Sequence, residues 1–127
     1  MPSISFSGCT ALGPFWLQIL EGRKTQTCRR PRKYPIKKGD RLYLYWKQRV
    51  PADRKPIHKI GEAVCTRVMR MKYIGFAYVQ MVARRDGFRD VEEMQEWFGD
   101  PLESGHVEYD VIEFKLCTPN QKVGSVD

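Results

Sequence analysis

Residues 41–46 read Arg-Leu-Tyr-Leu-Tyr-Trp, with Leu42, Leu44 and Trp46 on one side and Arg41, Tyr43 and Tyr45 on the other. In an extended chain successive side chains point to opposite faces, so this segment is a strand with one face toward a core and one polar face. The pattern returns near the end, where Ile112, Phe114 and Leu116 alternate with Val111 and Glu113 in a strand expected over Tyr109–Cys117. Sheets with one polar and one apolar face are typically antiparallel and covered on one side. That requirement constrains the fold more than any other feature.

The other segments fit around it. Ile4, Phe6 and Gly8 begin a short first strand. Leu12, Phe15, Trp16, Ile19 and Leu20 recur at helical spacing, which predicts a helix over 11–21 with Thr10 as its cap, Pro14 in its first turn and Gly22 ending it in a left-handed conformation. Thr25–Arg30 predicts a strand, and Pro31 and Pro35 a basic loop. Lys38-Gly39-Asp40 is a turn, Arg49–His58 an exposed loop and Ile60–Met71 a long strand. Phe76, Val79 and Ala83 fit a helix loosely. Asp90, with Glu93 three residues on, caps a helix with Val91, Met94 and Phe98 as its stripe, ended by Gly99 and Pro101. The tail from Thr118 is expected to fray. The order predicts an α+β chain: a small, mixed or mostly antiparallel β-barrel flanked by short helices.

At 127 residues, 42% of them hydrophobic, with 15 aromatics, the chain suits a single domain over 1–127 with its core in about 4–117. No apolar run approaches the roughly 20 residues that span a bilayer, and no secretory signal precedes the first strand. Cys9, Cys28, Cys65 and Cys117 form no CxxC, and His58 and His106, expected on loops, complete no zinc pattern. Buried free thiols in a reducing, cytoplasmic compartment are expected, with no metal and no cofactor.

The net charge of +7 is unevenly spread: Arg23–Lys47 carries ten Lys/Arg against Asp40 alone. A one-sided basic cluster attracts anionic ligands or polyanions. Within it lies Gly22-Arg23-Lys24-Thr25-Gln26-Thr27-Cys28-Arg29-Arg30, which matches none of the phosphate-loop, nucleophile-elbow, zinc-protease or dinucleotide templates. Arg23, Arg29 and Arg30 flank Lys24, and neighbouring like charges lower a lysine's pKa. A lysine so depressed serves as a general base beside the Thr25 or Thr27 hydroxyl. In a regular strand Lys24 and Thr27 face opposite ways, so their cooperation requires an irregular chain after Gly22. Alternatively, Lys24 and the arginines bind an anion and Thr27 is a strand former.

These residues carry a resemblance. Phe15, the run Ile19–Arg30, Lys38–Leu44, Ile60–Val64, Asp86-Gly87-Phe88 with Glu92-Glu93-Met94, and Tyr109–Phe114 together resemble an ASCH domain of the PUA-like superfamily. The resemblance implies a β-barrel with helices beside it and a cleft lined by the basic segment. Some ASCH proteins are amidohydrolases that remove the acyl group from 4-N-acetylcytidine, using a lysine, a threonine and a glutamate. Their implied counterparts are Lys24 as proton acceptor, Thr27 as nucleophile and Asp86, one methylene shorter, as proton donor. Arg23, Arg29, Arg30, Arg41 and Tyr45 are the expected substrate-binding residues, with Arg29 or a backbone N–H after Gly22 as the oxyanion partner, and Phe6, Phe15 and Trp46 are further stacking candidates. The expected partner is a modified cytidine nucleoside or single-stranded RNA, and the expected state a monomer. The rival readings are a non-catalytic RNA-binding module, gripping phosphates with the basic stretch and stacking bases on Tyr34, Tyr43 and Tyr45, and a ribonuclease.

Overall fold

A computed structural model describes residues 2–47 and 57–117. In chain order they form β1 (Ser3–Ser5), β2 (Cys9–Thr10), β3 (Gly13–Pro14), α1 (Phe15–Leu20), β4 (Gln26–Arg29), β5 (Arg41–Lys47), β6 (Ile57–Lys72), a 3-10 turn (Tyr73–Gly75), α2 (Gln80–Arg85), α3 (Val91–Phe98), α4 (Pro101–Ser104) and β7 (Glu108–Leu116). Five strands make one mixed sheet in the order β1-β5-β6-β7-β4, curled into a half-barrel. β1 lies parallel to β5, and the other three pairings are antiparallel. Register shifts at Leu44/Tyr45 and Cys65/Arg67 mark bulges, which bend a strand and increase its twist.

The alternation read from the sequence sets the sheet's inner face. Leu42 and Leu44 are fully buried, and Ala63 and Cys65 of β6 and Ile112 and Phe114 of β7 are buried beside them. Ile4, Phe6, Phe15, Ile19, Phe88 and Met94 complete the core from β1, the helices and their connections. Behind them Tyr73, Phe76, Phe98 and Tyr109 meet edge to face, Phe98 and Tyr109 at 5.2 Å between centroids.

β1 and β4 are the sheet's two edges, and side chains bridge them. Arg29 Nη2 donates to the Ser5 carbonyl at 2.7 Å, and Arg32 Nη2 to the Ser3 carbonyl at 2.8 Å.

Several local expectations are corrected. The first helix begins at Phe15, not residue 11, because residues 9–14 pair as the β2–β3 hairpin; the Thr10 hydroxyl accepts the Leu12 N–H at 3.1 Å and donates to the Gly87 carbonyl at 2.6 Å. The loosely helical 72–83 stretch divides into the 3-10 turn and α2; Phe76 and Ala83 are buried while Val79 is exposed. The expected 49–58 loop lies mostly outside the described residues, and its last two positions belong to β6, which places His58 on a strand. The tail from Thr118 lies outside them as well. Cys28 and Cys65 are buried free thiols, whereas Cys9 is exposed and Cys117 half-buried. Asp90 does cap α3, accepting the Glu93 N–H at 2.9 Å. Among the described residues no helix is long and apolar enough to cross a membrane, and no cluster of three metal-ligating side chains occurs.

Candidate active site

After α1 the chain turns at Gly22, whose φ of 78° is the left-handed conformation that an L side chain disfavours. The next two amides, of Arg23 and Lys24, both donate to the Gln18 carbonyl, at 2.9 and 3.2 Å. Regular pairing resumes only at Gln26. The irregular stretch removes the strand alternation, and Lys24 and Thr27 line the same cavity.

Gln18 organises this corner from a fully buried position. Its carbonyl holds the segment carrying Lys24. Its side-chain amide donates to the carbonyls of Gly13 at 2.8 Å and Gly87 at 3.2 Å, which anchors the segment carrying Asp86. The Thr25 N–H donates to the Arg85 carbonyl, tying the two segments a second time. Lys24 and Asp86, 62 residues apart in sequence, are fixed against each other by backbone.

The cavity holds about 190 Å³, below the roughly 300–1,000 Å³ of sites that enclose a drug-sized ligand. Lys24, Thr27, Cys28, Arg29 and Asp86 supply its chemistry; Phe6, Phe15, Phe88 and Trp97 supply apolar wall. Lys24 is 3% exposed, and its Nζ donates to the Asp86 carbonyl at 2.5 Å and lies 3.4 Å from Asp86 Oδ1. The same Nζ sits 4.5 Å from the Phe15 ring centroid. Burial lowers its pKa below the ordinary lysine range; the Asp86 charge opposes that shift, and Arg29 adds to it. The direction matches the sequence argument, but desolvation is the larger cause and the guanidinium field a lesser one. Asp86, also buried, is pushed from 3.8 up to about 6, again by burial, against the pull of Lys24 and Arg29.

Thr27 is buried, and its Oγ1 accepts a 2.9 Å hydrogen bond from Arg29 Nε. The hydroxyl proton remains available to a base. The Arg29 guanidinium lies over the Phe6 ring at 4.9 Å. Cys28, adjacent in sequence, also lines the cavity, but burial and then the Asp86 charge push its thiol well above the usual range. It is held as the neutral thiol.

Of the expected site residues, the structure brings Lys24, Thr27, Asp86 and Arg29 together. Arg23, Arg30, Arg41 and Tyr45 do not line the cavity. Arg23 pairs with Glu21 at 2.7 Å and donates to the Leu12 carbonyl. Arg30 lies over the Tyr109 ring at 6.0 Å. Arg41 pairs with Glu62 across β5 and β6 at 2.8 Å. Tyr45 is half-buried opposite Ser5. Phe6 and Phe15 serve both core and cavity wall. Sequence reasoning missed Gln18, Cys28, Phe88 and Trp97. A glutamine on the apolar stripe of α1 was the available signal for the first; no spacing rule joins the others to residue 24.

No protein-family model matches the chain, and no curated protein matches it either. A solved structure does. The chain shares its fold with protein EF3133 from Enterococcus faecalis V583, of family DUF984, at a TM-score of 0.62 over 100% of this chain and 85% of that one. At 16% identity the likeness is one of fold.

Proposed function

We propose that the protein is an amidohydrolase that removes the acyl group from an acylated cytidine of the 4-N-acetylcytidine kind. The observation that carries this reading is the convergence of the Lys24 amine, Thr27 hydroxyl and Asp86 carboxyl on one small cavity. A buried amine with a lowered pKa has a neutral form able to take a proton. Thr27 Oγ1 attacks the acyl carbon and gives its proton to Lys24 Nζ. Arg29, already bonded to that oxygen, eases its loss of the proton. Asp86, protonated below about 6, delivers a proton to the departing ring amine as the carbon–nitrogen bond breaks. Water then hydrolyses the threonine ester, releasing the carboxylic acid and regenerating the hydroxyl, and Lys24 Nζ passes its proton to Asp86 Oδ1, 3.4 Å away, which restores both groups. Cys28, held neutral, is not the nucleophile.

The test is incubation of purified protein with 4-N-acetylcytidine and larger 4-N-acylcytidines, reading cytidine by chromatography. Wild type is expected to release cytidine from at least one of them, and Lys24→Met and Thr27→Val, close in volume to the native side chains, to release none. Intact substrate across the panel overturns the reading.

A further inference from the structure

Trp97 is the one large aromatic that lines the cavity while standing 52% exposed. A half-exposed tryptophan leaves costly apolar surface in water, and such surface marks sites of contact. Its position is fixed from two sides. Phe15 packs against it at 5.4 Å and 71°, and Phe88 at 5.8 Å and 59°. On a third side the backbone of Gly8 closes in: a Cβ built there would stand 2.4 Å from the Trp97 Cη2 and 3.2 Å from its Cζ3. Gly8 has no positive φ, so what its missing side chain provides is room for the indole. A rigid ring costs little conformational entropy when it takes up a partner.

The cavity's volume adds the second half of the argument. About 190 Å³ accommodates the reacting end of a ligand rather than a whole nucleoside, so the remainder lies at the mouth. We infer that Trp97 is a stacking platform at that mouth, holding the planar heteroaromatic ring of the ligand while its acylated amine enters toward Lys24 and Thr27. The inference rests on the proposed amide hydrolysis for its orientation. It adds a substrate-class requirement: a flat ring directly attached to the amide nitrogen. Aliphatic amides of the same acyl group lack the feature that Trp97 recognises.

Two variants and two readouts test it. Trp97→Leu keeps apolar bulk and removes the ring. Gly8→Ala leaves the indole in the chain but displaces it. Cytidine, the product, is titrated against intrinsic fluorescence: stacking quenches Trp97, and the quench is expected in wild type and lost in Trp97→Leu, which retains Trp16 and Trp46. Steady-state kinetics on the best acylcytidine is expected to show KM rising roughly 5- to 150-fold in Trp97→Leu, the range that base stacking on an aromatic side chain commands, with kcat within about twofold. Gly8→Ala is expected to raise KM in the same sense. Unchanged KM in both variants, or a quench that persists in Trp97→Leu, overturns the platform while leaving the hydrolase reading intact. A Trp97-dependent quench in a protein that hydrolyses no acylcytidine upholds the platform and overturns the hydrolase.

Discussion

The Asp86 carboxyl is 2% exposed, and burial raises its pKa from 3.8 to about 6. A folded-state pKa above the unfolded one means that the native protein binds the proton more tightly. The resulting stability is fully present below 3.8 and is lost as pH rises through about 6. A shift of about two units corresponds to about 3 kcal/mol. Asp86→Asn removes the titration while keeping the shape. Stability is measured for both proteins by urea unfolding, followed by tryptophan fluorescence from below pH 3.8 to about pH 7. Subtracting the variant from the wild type cancels groups that do not sense Asp86, including Glu62 and Asp90, whose lowered pKa values act in the opposite sense. The wild type is expected to lose about 3 kcal/mol relative to Asp86→Asn across that window. A difference that stays flat, or that moves in favour of the wild type as pH rises, refutes the reasoning. It would mean that Lys24, 3.4 Å away, holds the carboxylate ionised against the cost of burial.

Two further outcomes are expected. Cys28→Ala retains acylcytidine hydrolysis, and the wild-type thiol reacts slowly with iodoacetamide at neutral pH, because burial keeps it protonated; loss of turnover in that variant contradicts the role given to Thr27. Tyr73→Phe loses the 2.7 Å hydrogen bond from the phenol to the Gly99 carbonyl and is expected to cost about 1 kcal/mol in urea unfolding, with hydrolysis unaffected.

Much of the sheet was legible because alternation is local: Leu42, Leu44, Ile112 and Phe114 sit where period-two patterning puts them. Gly22 and the Asp90 cap were legible for the same reason, since each acts within a few residues. The start of α1 was not, because Cys9-Thr10 pairs back on Gly13-Pro14 in a hairpin that Thr10 ties to Gly87, 77 residues away, and a cap rule sees only neighbours. The site divided along the same line. Lys24, Thr27 and Arg29 share one short motif. Phe88 and Trp97 reach the cavity by packing across the core, which leaves no spacing to read. Local charge suggested that arginines depress Lys24, yet Arg23 turns toward Glu21 and Arg30 toward Tyr109. Burial, a property of the whole fold, is the greater cause.

The bridge from Arg29 and Arg32 to the carbonyls of Ser5 and Ser3 has a mechanical consequence. Where a closed barrel would carry a fourth antiparallel ladder, two long side chains act as latches between the lips of the sheet, and the cavity opens beside one of them. The same arginine that bonds the Thr27 oxygen thus also ties one lip of the sheet to the other, so the geometry of the cavity wall and the closure of the sheet share one side chain.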